Sequence, residues 1–86
     1  MAKMKPILNL NGTSAEALIE ARLNAREAVL ALIAALGDVA PNGRDYIGHP
    51  DAFKHDQEIH AERIRFLDRL YNELGDEALA IQEAAH

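Results

Sequence analysis

The densest set of groups able to hold a metal or move a proton lies early in the second half of the chain. It comprises His49, Asp51, His55, Asp56, Glu58, His60 and Glu62, with Arg63 just after. Asp56 and His60 are four residues apart, so on a helix they share a face, a spacing that can supply two metal ligands. A stable site needs more. The chain has no HExxH sequence, no comparable pair in its first half and no cysteine. Only a two-fold assembly would bring two such pairs together, so a weak metal site at Asp56 and His60 stands as an alternative and no cofactor is expected. General acid–base work would also need a pocket and a group to orient a substrate, and the sequence points to neither. The aliphatic hydroxyls are Thr13 and Ser14, both at a helix start. Asn42-Gly43-Arg44 lacks the spacing of a phosphate loop and follows a helix rather than a strand. The expectation is a protein that is not an enzyme.

A structural account of the same residues is preferred. Arg22 and Arg26 project from within the apolar arc of the first helix, where their stems can cover apolar surface while the heads reach water or a facing carboxylate. Asp56, His60 and Arg63 lie on the side of the second helix that should face the first. In an antiparallel hairpin Arg26 would sit opposite that region or one turn beyond. Arg22, Arg26, Asp56, His60 and Arg63 are therefore expected as buried polar groups that fix register rather than add stability.

The elements that must position these groups follow from one corner. Gly37 to Pro50 contains three glycines and two prolines, and is the only interruption of helical sequence in mid-chain. Upstream, Thr13-Ser-Ala-Glu16 reads as a capping box. A helix over 14–36 is expected, about 34 Å long, with Gly37 as a left-handed stop. Leu18, Ile19, Leu23, Val29, Leu30, Leu32, Ile33 and Leu36 share one half of its wheel. Ala17, Ala21, Ala28, Ala31 and Ala35 lie on the other, a small-residue face open to another helix. The loop spans 37–49, and in it Ala40-Pro41-Asn42-Gly43 carries turn chemistry. Tyr46 and Ile47 are expected to fold back and close that end of the core. A second helix over 50–84 opens on Pro50, a favourable first position. Its apolar residues Phe53, Ile64, Leu67, Leu70, Leu74, Ala78 and Ile81 recur at steps of three and four. Gly75 interrupts without a phase slip, so one continuous helix is expected. Residues 1–12 read as an arm that packs on the helices or stays loose, with an arm that crosses to a partner subunit as the sharper alternative.

Eighty-six residues make one domain, here all-α: a long antiparallel helical hairpin over 13–86 with an arm over 1–12. A single seam of Leu and Ile hardly offsets the entropy of ordering about 60 helical residues at ~1.5 kcal/mol each. Dimerisation into a four-helix bundle is the economical solution. Fourteen acids against nine Lys and Arg give a net charge of −5, which argues against a general nucleic-acid binder. A regulator that touches nucleic acid through local patches (Lys3, Lys5, Arg44, Lys54, Arg63, Arg65, Arg69) is the alternative. No apolar run has signal or membrane-span length, so a cytoplasmic protein is expected, with a protein partner as well as its own copy.

Leu10-Asn-Gly-Thr-Ser14, an Ala/Leu-rich helix, Ala40-Pro41-Asn42-Gly43-Arg44-Asp45-Tyr46 and then His60-Ala-Glu-Arg63 follow one another in an order that resembles small helical proteins encoded in bacteriophage and prophage genomes. The Pro-Asn-Gly-Arg-Asp-Tyr loop is the specific part, and the likeness runs from Leu8 to Glu83. It implies an accessory or host-interaction protein and brings no catalytic residues. It also implies a loop fixed by hydrogen bonds of Arg44, Asp45 or Tyr46. The function expected is a non-enzymatic protein–protein interaction module.

Overall fold

The computed structural model describes residues 3–8 and 12–85. Helix accounts for 80% of the described residues, and no strand occurs among them. Helix α1 spans Ala15–Leu36, helix α2 spans Pro50–Ala84, and two short 3-10 turns, Gly37–Val39 and Gly43–Tyr46, lie between them. The two helices pack against each other as a hairpin, a rod of 63 × 20 × 17 Å.

α1 begins one residue later than the capping box implied. Ser14, not Thr13, is the N-cap: its backbone is extended and its hydroxyl accepts from the Ala17 amide at 3.1 Å. The three-residue reach from cap to amide is the same, so Thr13-Ser14 offers two hydroxyls in adjacent frames and the second is used. At the far end Gly37 is right-handed (φ −56°) and continues into the first 3-10 turn. Gly43 likewise opens the second turn without left-handed geometry. Gly48, at φ 81°, is the one residue with positive φ among those described. It turns the chain into α2, where Pro50 takes the first helical position and His49 supplies no side-chain cap.

α2 runs unbroken through Gly75. The residues of α1 turned toward it are Leu18, Ile19, Arg22, Ala25, Arg26, Val29, Ile33 and Leu36, at steps of one, three and four. Leu23, Leu30 and Leu32, expected on the inner side, sit on its flanks and are nearly half exposed. The buried apolar residues among those described are Val29, Leu67, Ala78 and Ile81, and no side chain is fully enclosed. Two helices meet along one line only, so each inner residue is covered from one side.

The register differs from a simple folding-over of the chain. Arg22 meets Glu77 and Arg26 meets Tyr71. α2 therefore extends past the end of α1, and the connection runs back along its opening turns. Tyr46 stacks on Phe53 with ring centroids 5.3 Å apart. Ile47, expected to close the core beside it, is 82% exposed.

Candidate functional site

The residues singled out for chemistry separate into three places. The first is the loop end. The Asn42 side chain accepts from the Arg44 amide at 3.0 Å and from Arg44 Nε at 3.4 Å, so the second 3-10 turn is capped by Asn42. The Tyr46 hydroxyl donates to Asp56 Oδ2 at 2.6 Å, and His55 Nδ1 lies 3.1 Å from Asp56 Oδ1. The loop is thus fixed by Asn42–Arg44 and Tyr46–Asp56 rather than by an Arg44–Asp45 bond. The Tyr46 hydrogen bond, then the one to His55, holds the Asp56 carboxyl below its ordinary value, with the charges of His55 and Arg63 adding to them. The same bond raises the Tyr46 phenol above its ordinary value, helped by desolvation and by the charges of Asp56 and Asp45. Asp56 thus stays ionised and Tyr46 stays protonated across the neutral range. That is a clasp, and it is the wrong poise for a proton-transfer pair, which works best with a group titrating near the working pH.

Val39, Pro41, Tyr46, Asp56, Ile59, His60 and Arg63 line a half-open pocket of about 240 Å³ beside this clasp. His60 Nδ1 is buried there with no hydrogen-bond partner. Asp56 and His60 do share a face, but no group of three or more metal-ligating side chains comes together among the described residues. Both Asp56 oxygens are already engaged by Tyr46 and His55.

The second place is the open end of the hairpin, and it holds a feature that the sequence reading missed. Glu77 is only 7% exposed. Its Oε1 accepts from Arg22 Nε at 2.9 Å and its Oε2 accepts from the Met4 amide at 3.2 Å. Arg22 Nη1 also donates to the Leu18 carbonyl at 3.2 Å. One carboxylate therefore joins α1, α2 and the N-terminal arm. Lys3 lies 3.6 Å from Asp76 at the exposed edge of the same contact. Met4, Pro6 and Leu8 border a shallow depression with Ile81 and Ala84. The described part of the arm packs on its own α2. Residues 9–11 lie outside the described residues.

Between these two places is Arg26. Its Nε donates to the Tyr71 carbonyl at 3.1 Å and its guanidinium lies 3.9 Å above the Tyr71 ring. A Cβ at Gly75 would stand 2.9 Å from Arg26 Cζ. Gly75 thus lets the guanidinium lie flat on α2. Of the five residues expected as one buried register set, Arg22 and Arg26 are engaged with α2, but opposite Glu77 and Tyr71 rather than Asp56. Asp56 pairs with the loop, His60 is half-buried under it, and Arg63 is exposed, a correction to its expected burial. For Asp56 and His60 the reason is the overrun of α2, whose opening turns meet the connection; Arg63 lies beside Leu32 and Leu36 of α1 but at the outer rim of the groove.

One side of the hairpin carries a long apolar groove. Leu32, Leu36, Ile59, Phe66 and Leu67 line a stretch of about 380 Å³. Ala21, Ala25, Leu70 and Met4 line a second stretch of about 350 Å³ toward the open end. Phe66 is half exposed at the groove's edge, and beside it Glu62, Arg65 and Arg69 line a charged depression.

No protein-family model, curated protein or solved structure matches the chain. No helix among the described residues is long and apolar enough to cross a membrane.

Proposed function

We propose that this protein is a non-enzymatic protein–protein interaction module that works as a homodimer, two hairpins closing into a four-helix bundle. What supports the reading above all is the thinness of the core. Four buried apolar residues, of which one is alanine, stand against Leu23, Leu30, Leu32, Phe66 and Leu79, each between 44% and 53% exposed. Of these, Leu32 and Phe66 share the apolar groove, a contiguous apolar surface of the kind that marks an association site, and a chain this short buries too little of its unfolded surface to be robust alone. The titratable groups support the non-enzymatic part. Tyr46 and Asp56 are tied to each other, Arg22 to Glu77 and Arg26 to Tyr71, and each tie has a structural task.

The Pro41-to-Tyr46 loop motif supports an accessory role of the kind its resemblance to phage and prophage proteins implies. The lack of cysteine fits a reducing compartment. Light scattering tests the assembly: twice the chain mass of 9.5 kDa is expected at micromolar concentration, and a mass of one chain at every accessible concentration overturns it. Titration with duplex DNA at moderate salt is expected to show no binding, because a chain of net charge −5 releases few counterions.

A further inference from the structure

We infer that the second copy docks on the groove face through α2, with Phe66 at the two-fold axis and Glu62 of each chain beside Arg69 of the other. The inference rests on the homodimer reading above and specifies its face and register. Besides the residues turned toward α1, α2 carries a second run at steps of three and four: Ile59, Glu62, Phe66 and Arg69. On a 3.6-residue helix these form one stripe, the pattern of a second helix-packing seam. Phe66 is half exposed and Glu62, Arg65 and Arg69 are exposed. Within its own chain α1 borders this seam only along one edge, at Leu32 and Leu36, and the outer edge with Glu62 and Arg69 stays exposed.

The charges on the stripe read correctly only for an antiparallel copy. Glu62 stands about one turn before the Arg65–Phe66 midpoint and Arg69 about one turn after it. A two-fold axis through that midpoint reverses the order, so acid meets base twice. A parallel copy would set Glu62 against Glu62 and Arg69 against Arg69, which like-charge repulsion disfavours. The same axis sets the two Phe66 rings against each other, each at the edge of an apolar groove walled by Leu32, Leu36, Ile59 and Leu67. A central aromatic anchor in an apolar pocket rimmed by charge is the usual anatomy of a specific interface. The α1 wall is a low one, because apart from Leu32, which lines the groove, its exposed positions on that side are Ala21, Ala28, Ala31 and Ala35 with Asn24.

Charge reversal tests this. Arg69→Glu sets two acids together twice and is expected to weaken dimerisation at least tenfold by sedimentation equilibrium. The double variant Glu62→Arg/Arg69→Glu restores the pairs and is expected to return the dissociation constant to within about threefold of the unmodified chain. Far-UV circular dichroism checks that each variant stays helical. A second variant does not depend on charge. Because the chain has no cysteine, Glu62→Cys/Arg69→Cys is expected to oxidise to a covalent dimer, while cysteine at exposed Gln57 and Glu83 is not. If the unmodified chain dimerises but Arg69→Glu leaves it unchanged, this face is overturned and the dimer reading stands. Weakening without rescue, together with no covalent dimer, overturns the register. A monomeric unmodified chain overturns both.

Discussion

The two ends of this hairpin are held by opposite means. At the open end a buried carboxylate, Glu77, ties three segments together through Arg22 and the Met4 amide. At the loop end a partly exposed hydroxyl–carboxylate bond, whose Asp56 side chain is 43% exposed, and a tilted ring pair tie the connection to the overrunning turns of α2. Burial makes the difference. A charge out of water must keep its partner, because the alternative is an uncompensated ion. A charge in water can exchange its partner for solvent at little cost. The open end should therefore behave as all-or-none and the loop end as graded.

The largest expected effect comes from breaking the buried tie. Glu77→Ala leaves Arg22 unpaired and should cost about 3–5 kcal/mol, enough to unfold most of a chain this small, as read by urea denaturation. The apolar pair Arg22→Met/Glu77→Leu should recover most of that loss, since both charges go together. If Glu77→Ala alone is neutral, the contrast between the ends fails.

An intermediate effect is expected at Gly75. Alanine there should gain ~1 kcal/mol of helix propensity, but its Cβ would displace the Arg26 guanidinium. That forfeits a charged hydrogen bond of ~1.5–3 kcal/mol and a cation–π contact of ~0.5–1 kcal/mol. Gly75→Ala should thus destabilise the chain. In an Arg26→Ala background the same change should stabilise it. The reversal of sign, measured by thermal melting, is the sharper half of the test.

The smallest effect belongs to the loop end. Tyr46→Phe removes the bond to Asp56 and should lower stability slightly without unfolding the rod. Its pH dependence has a definite shape. The lowered Asp56 value gives stability present above the ordinary carboxyl value, about 4, and lost as pH falls through the folded-state value. The raised Tyr46 value gives stability present below about 10 and lost as pH rises through its folded-state value. The difference between the native chain and Tyr46→Phe should be flat between those limits and shrink outside them.

The helices were legible in the sequence because their signals are local: Pro50 at a first turn, hydroxyls before α1, apolar steps of three and four. The register was not, because it depends on where the connection lies. Nothing in Gly37 to Pro50 states that it folds back along α2, and a simple folding-over therefore sets Arg26 opposite the Asp56-to-Arg63 region or one turn beyond, short of Tyr71. Arg22 and Arg26 were visible as polar residues inside an apolar arc, yet their partners were hidden. Glu77 stands between Leu74 and Ile81 in the inner stripe of α2, and that position was the available signal. Tyr71 serves Arg26 through its ring and its carbonyl, and no sequence pattern marks a carbonyl. The left-handed residue was misassigned to Gly37 because a helix end and a turn both favour glycine. Only the geometry of the whole connection decides between them.

Gly48 has a consequence of its own. Its φ is 81° and an added Cβ there would meet nothing within 4 Å. Handedness, not room, is what this position demands. A mirror-image alanine introduced by chemical ligation would fit the bend that its natural enantiomer resists, and would stiffen the corner by narrowing the choices of the unfolded chain.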